Sequence, residues 1–237
     1  MSFFQKSLPE MRLTLRALAY LLRYPDEEMR SHAADLRDAL NQETALTASR
    51  KTEIERLIDR LVYLPSMQVE SEFVEMFDRG RRTSLLLFEH VHGDSRDRGP
   101  AMIDLIQTYE QAGLYLGLDE MPDALPVVLE YASTQPPAQG RSFLGETSHI
   151  VRVIFSALVE RQSPYASVLA AVLELAGEKA EPVAIEAEPE IDESWAEPEV
   201  FGGCSTEGQA KPGQPQPIRI VKRNPSPSQS NHQGAQA

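Results

Sequence analysis

A single cysteine, Cys204, and a single tryptophan, Trp195, stand in this chain of 237 residues. A lone thiol builds neither an internal disulfide nor a multi-thiolate zinc or iron–sulfur site, so the fold must rest on a hydrophobic core. One cysteine also fits a reducing compartment, and a cytoplasmic setting is expected. Strand-like alternation is nearly absent, which removes the all-β classes. Basic residues are the minority, 23 against 36 acidic for a formal charge of −13. That balance disfavours nucleic acid and anionic membrane and favours basic partners. The opening MSFFQKSLPEMRLTLRALAYLL has too few early positive charges and too many interspersed arginines for a signal peptide. No run approaches the apolar length of a membrane span. GxxxxGK[ST], GxGxxG behind a strand and GxSxG are all missing, so nucleotide and acyl-transfer enzymes lose their usual sequence support.

What the chain does contain is helix punctuation. Residues 1–177 read as one compact all-α domain of about eight helices, since nearly every segment has helical apolar spacing between Pro and Gly stops. A domain of roughly 170 residues buries on the order of 70% of its unfolded surface and needs no metal or disulfide staple. Ser7 and Glu10 have capping-box spacing ahead of Met11, Leu15, Leu18 and Leu22. Pro25 ends that helix and starts another through Leu36 and Leu40. Ile54, Leu57, Ile58, Leu61 and Val62 stripe a helix near 49–64, which Pro65 ends. Val69, Phe73, Met76 and Phe77 make the next, and Gly80 is expected to close it in the left-handed conformation. SLLLFEHV at 84–91 is apolar around nearly its whole circumference, so it is expected to be a helix buried among others, closed by Gly93.

Asp97 is placed to cap a helix carrying Pro100 in its first turn and Ile103, Ile106 and Tyr109 beyond. Asp123 with Pro126 heads another through Val128, Leu129 and Tyr131. Pro136-Pro137 break the chain, and two longer helices follow, 142 to about 162 and Ser163-Pro164 to Gly177. Past Gly177 the character changes. Nine acidic residues and one Lys fall between 178 and 200, followed by a Gly/Pro/Gln/Ser-rich stretch with Arg219, Lys222 and Arg223. Such a composition does not repay its ordering entropy by burial, so 178–237 is read as a largely disordered tail. Within it, SWAEPEVFGGC at 194–204 holds Trp195, Val200 and Phe201, either a docking element or a few exposed hydrophobes.

Glu89, His90, His92, Asp94 and Asp97 are the residue types of a carboxylate–imidazole metal site. Spacing opposes it: adjacent and i+2 side chains on a helix diverge, and the i, i+4 histidines of a zinc helix are missing. A helical metalloenzyme is therefore the weaker reading, and no metal is expected. Glu89 and His92, one turn apart, fit better as polar groups braced by Arg82, Arg96 or Arg98, because an unpaired buried one costs about 1–3 kcal/mol. Phe73, Phe77, Phe88, Tyr109 and Tyr131 at helical spacing are core aromatics or a groove. Their nearness to Glu75, Asp78 and Glu89 suits a groove with an apolar floor and an acidic rim, made for a basic amphipathic peptide. A scaffold whose working part is the tail is the third alternative.

EFVEMFDRGRRTSLLLFEHVHGDSRDRGPAMIDLIQTYEQAGL at 72–114, followed by EMPDALPVVLEY at 120–131, closely resembles the assembly chaperones of respiratory nitrate reductase, the delta-subunit family. The resemblance extends over about 12–204. It implies an all-helical fold of the redox-enzyme maturation type and a protein that is not an enzyme and carries no cofactor. The implied partner is the catalytic subunit of respiratory nitrate reductase, bound through its N-terminal segment, a twin-arginine-like remnant. The chaperone keeps that apo-subunit competent for molybdenum-cofactor and iron–sulfur insertion before membrane anchoring, and is no part of the finished enzyme. The matching motif nominates Phe73, Phe77, Phe88, Glu89, His92, Asp97, Arg98 and Tyr109 for client binding. The aromatics would contact the peptide's apolar face, Glu89 and Asp97 its cations, and His92 and Arg98 would brace the site. The basic Pro/Gln/Ser tail past 204 lies outside the resemblance.

Overall fold

A computed structural model of the chain describes residues 8–93, 95–118 and 120–185; Ser7, Asp94 and the 194–204 element lie outside them. Among the described residues the fold is all-α, ten α-helices with one π-helical and one 3₁₀ turn, and the lone β feature is an isolated bridge between Leu86 and Ala124. The helices are α1 Arg12–Leu21, α2 Glu27–Ser31, α3 Ala33–Gln42, α4 Ala48–Tyr63, α5 Ser66–Phe73, α6 Leu87–His92, α7 Arg98–Gln111, α8 Leu125–Thr134, α9 Pro137–Glu160 and α10 Ala166–Ala176.

α10 sits at the centre, packed on α9, α4 and α1, and α1 packs on α8 and α3. Its sequence explains the place: Val168 through Leu173 and Leu175 are all buried, so no face is left for water. Gly177, the glycine expected to end it, does so in the left-handed conformation at φ 89°. The core continues through Leu15, Leu18 and Leu21 of α1 and Ile54, Leu57 and Ile58 of α4, each burial being worth about 1.5–3 kcal/mol. α9, 24 residues long, begins at Pro137 rather than near 142. By length and composition it could cross a membrane, contrary to the sequence expectation; here it packs on α10 and α8 and buries Leu144, Val151, Ile154 and Leu158.

Several local expectations give way to tertiary partners. α1 starts at Arg12, past the Ser7–Glu10 box, and its first amides are served from the end of α3: Glu43 accepts from Leu13 N at 2.9 Å and from Thr14 N and Oγ1 at 2.8 Å. The helix after Pro25 breaks at His32 into α2 and α3. Asp26 caps α2 through the Met29 amide, and Arg30 fixes its direction by donating to the Leu61, Val62 and Leu64 carbonyls at the end of α4. α5 runs into a π turn over Val74–Asp78. Gly80 is extended, at φ −110°, and not left-handed. Space explains this glycine, because a Cβ there would stand 2.6 Å from Thr83 Oγ1 and 2.9 Å from an Arg161 guanidinium nitrogen.

The largest correction concerns 84–91. Ser84–Leu86 are not helical: Leu125 N donates to Leu85 O at 2.9 Å and Leu87 N to Asp123 O at 3.0 Å, so two β-type bonds hold the stretch against the start of α8. Only Leu87–His92 form α6, with Leu87 buried, Val91 51% exposed and Gly93 closing it at positive φ. The helix buried on all sides is α10. α7 is peripheral, with Tyr109 its one buried residue and Ile103 exposed. Asp97 makes no capping bond to it and instead accepts from the Ser95 hydroxyl at 3.2 Å. Past Gly177 contacts continue: Glu178 pairs with Arg152 at 2.7 Å, and Val183 N donates to Ser156 Oγ at 2.9 Å.

Candidate functional site

The π turn shapes the floor of the main cleft. Phe73 and Phe77 straddle its start, and the wider turn leaves their rings 4.8 Å apart with both edge-on to Tyr165, at 5.8 and 5.0 Å. Tyr24, half-exposed, covers Phe73 edge-on at 5.9 Å and donates its hydroxyl to Glu70 at 3.1 Å. Above this floor lies a cavity of about 740 Å³, walled by Leu22, Tyr24, Leu85, Leu86, Ala124 and Pro126. Its rim carries Asp78, Arg79, Arg81 and Glu89. The bridged pair Leu86–Ala124 is one wall, so the irregular backbone at 84–86 is what opens the cleft.

Behind that wall is a cluster of charge. Asp123 is fully buried; its Oδ2 accepts from the Phe88 amide at 3.0 Å, and its Oδ1 has no hydrogen-bond partner. It was expected to head α8, yet it caps α6 instead, through the second amide of that helix. Arg98 lies between two acids, 3.8 Å from Glu89 Oε1 and 3.8 Å from Asp123 Oδ2. Burial raises the pKa of the Asp123 carboxyl, with Glu89 adding to the rise, against the Phe88 amide, the Arg98 guanidinium and its own backbone amide, which pull it down.

The nominated residues therefore separate. Phe73, Phe77 and Glu89 line the cleft together, and both Phe side chains are almost fully buried. Arg98 joins them through Glu89. Phe88 and His92 pack on each other edge-on at 5.5 Å, half-buried. Asp97 is exposed beside Ser95. Tyr109 lines a second, smaller hollow of about 280 Å³ with Arg12, Arg16, Tyr115, Glu130 and Tyr131. Its hydroxyl donates to the Pro122 carbonyl at 2.9 Å, its ring leans on Tyr131 at 4.9 Å, and burial raises its pKa.

Arg98, rather than Arg82, faces Glu89; Arg82 reaches Glu160 at 3.3 Å. The histidines diverge as helical spacing requires: a His90 ring nitrogen lies 2.9 Å from the Ser84 carbonyl while His92 faces Phe88. Among the described residues no three His, Cys, Asp or Glu side chains converge as metal ligands. Sequence reasoning missed Asp123, Leu85, Leu86 and Tyr24. The signal for Asp123 was present but pointed to α8, since an acid before a proline-started helix is the usual sign of a local cap.

Comparison with known proteins bears on the whole domain. The family described as "Nitrate reductase delta subunit" matches residues 23–171. The nitrate reductase molybdenum cofactor assembly chaperone NarJ of Escherichia coli K12 is 35% identical over 198 residues, which covers 79% of this chain and 84% of NarJ. The probable chaperone NarW of the same organism is 37% identical over 163 residues, 69% of this chain and 68% of that protein. Among solved structures, a putative redox enzyme maturation protein from Archaeoglobus fulgidus superposes with a TM-score of 0.51 at 20% identity, covering 75% of this chain and 99% of that one. That likeness speaks for the fold, and the sequence matches speak for descent. With its all-α architecture and matches of this length, the chain belongs to the nitrate reductase delta subunit family.

Proposed function

We propose that this chain is the assembly chaperone of a respiratory nitrate reductase. It binds the N-terminal, twin-arginine-like segment of the apo catalytic subunit in the cytoplasm and holds the subunit open to molybdenum-cofactor and iron–sulfur insertion before membrane anchoring. It catalyses no reaction and leaves before the enzyme is complete. The observation that carries this reading is the cleft over Phe73 and Phe77, lined by the 72–131 segment that resembles the family motif together with Leu22 and Tyr24. An apolar floor of that size takes a few large side chains of an amphipathic helix, and Asp78 and Glu89, set on the rim among Arg79 and Arg81, are the groups that would meet its positive charges. A chain with a net charge of −13 draws such a peptide in. Glu89, Phe73 and Phe77 are the contact residues and Arg98 acts beside Glu89, whereas Phe88 and His92 are half-buried against each other, Asp97 is exposed, and Tyr109 is buried under the smaller hollow.

Isothermal calorimetry with a synthetic peptide of the catalytic subunit's N-terminus tests the reading. Saturable binding is expected, and both Glu89→Arg and Leu86→Asp are expected to weaken it about tenfold or more, the scale of losing one charged or one buried apolar contact. Heat changes that never exceed the dilution blank at high micromolar peptide would remove the reading.

A further inference from the structure

The Asp123–Arg98–Glu89 cluster has features that a plain structural ion pair lacks. Arg98 stands 3.8 Å from each acid, beyond hydrogen-bond length, so charge alone holds it there. It is on the first turn of α7, the helix with one buried residue, and its own side chain is partly exposed. Asp123 is the reverse: no part of its side chain reaches solvent, yet Oδ1 finds no donor. Native structures rarely leave a buried carboxylate oxygen in that state, because an unmet buried acceptor costs about 1–3 kcal/mol and more when charged. Glu89 connects this cluster to the cleft, since it lines the rim and faces Arg98 at once.

We infer that Glu89 and Asp123 form a receptor for a guanidinium group of the client peptide, and that Arg98 is the chain's own occupant of that receptor, displaced when the client binds. This rests on the chaperone reading above. A planar guanidinium can fork across two carboxylates and reach an oxygen that a long, loose contact leaves unmet, which a point-like ammonium does less well. Exchange of one guanidinium for another also keeps Asp123 paired in the free and bound states. Neither state then carries an uncompensated buried charge, which lets binding remain reversible. Arg98 is thus a competitor that sets specificity. Brace and competitor predict opposite signs.

The full-length chain is titrated calorimetrically with an arginine-containing N-terminal peptide of a respiratory nitrate reductase catalytic subunit, and with the same peptide carrying Gln in place of each Arg. Arg98→Gln is expected to tighten binding of the arginine peptide about fivefold, by lifting the occupancy the client must displace. Asp123→Asn is expected to weaken it about tenfold or more, and Glu89→Gln serves in the same direction should the buried variant fold poorly in thermal melts. All three effects should vanish with the Gln peptide. Weaker binding on Arg98→Gln, or effects of equal size with both peptides, would make Arg98 a brace and overturn the inference while leaving peptide binding intact. Failure of the unaltered chain to bind either peptide would instead remove the proposed function, and the receptor with it.

Discussion

Asp123 is ionisable in a place where burial disfavours its charge, and the Phe88 amide and Arg98 offset that only in part, so its pKa in the folded chain is raised. A raised carboxylate pKa means the folded state holds the proton more tightly than the unfolded chain. The ionised group then subtracts stability above its folded pKa, and the loss is relieved as pH falls through that value toward the unfolded one. Asp123→Asn, neutral and still able to accept from Phe88, is expected to melt at or above the parent near neutral pH and to lose that advantage on acidification. Thermal melts across a pH series check this; a variant several degrees less stable near neutral pH, with the deficit closing on acidification, would show that the charge holds Arg98 more than burial opposes it. Glu72 has the other sign. Burial pushes its carboxyl up, but the Arg60 guanidinium and the Gln68 amide outweigh it, so its small, solvent-screened contribution is lost as pH falls. Asp123 gives up stability beside the proposed binding cleft, a trade that functional sites commonly make.

At the scale of elements, caps come from far along the chain. Glu43 answers three donors at the start of α1, an N-terminal cap supplied about 30 residues away. Glu43→Ala is expected to destabilise the chain by about 1–3 kcal/mol in denaturant unfolding, with Glu43→Gln losing less because it still accepts. A change under a few tenths would mean that water serves those amides equally well. The apolar spacing Val69, Phe73, Phe77 is visible in the sequence, while the π turn after α5 and the meeting of both rings with Tyr165 are tertiary features. Residues 84–86 pair with 123–125 because a helix there would forfeit two bonds to the α8 approach.

At the scale of the whole molecule, the domain closes on itself slightly past Gly177. The Arg152–Glu178 pair and the Val183–Ser156 bond lay the following residues along α9. Truncation after Ile185 is expected to leave both the melting temperature and peptide binding within error of the full chain. Truncation after Gly177 is expected to lower the melting temperature by a few degrees, since it removes these contacts from a domain in which about 1 kcal/mol shifts it by 2–4 °C. Differential scanning calorimetry on the two truncations separates the cases. Loss of peptide binding on cutting after Ile185 would hand the function to the tail.

The sequence by itself determined the all-α class, most helix positions, the family resemblance of 72–131 and the acidic character, because apolar period, Pro and Gly stops and net charge act within a few residues or by simple summation. It also brought out Phe73, Phe77 and Glu89, which share the cleft. Tertiary structure decided which acid is buried, which helix is central and where the cleft opens. Those choices depend on partners 27 to 35 residues apart, Glu43 on Thr14, Asp123 on Phe88 and Ser156 on Val183. A buried carboxylate's free energy is set by what surrounds it on all sides, and no local window of sequence contains that.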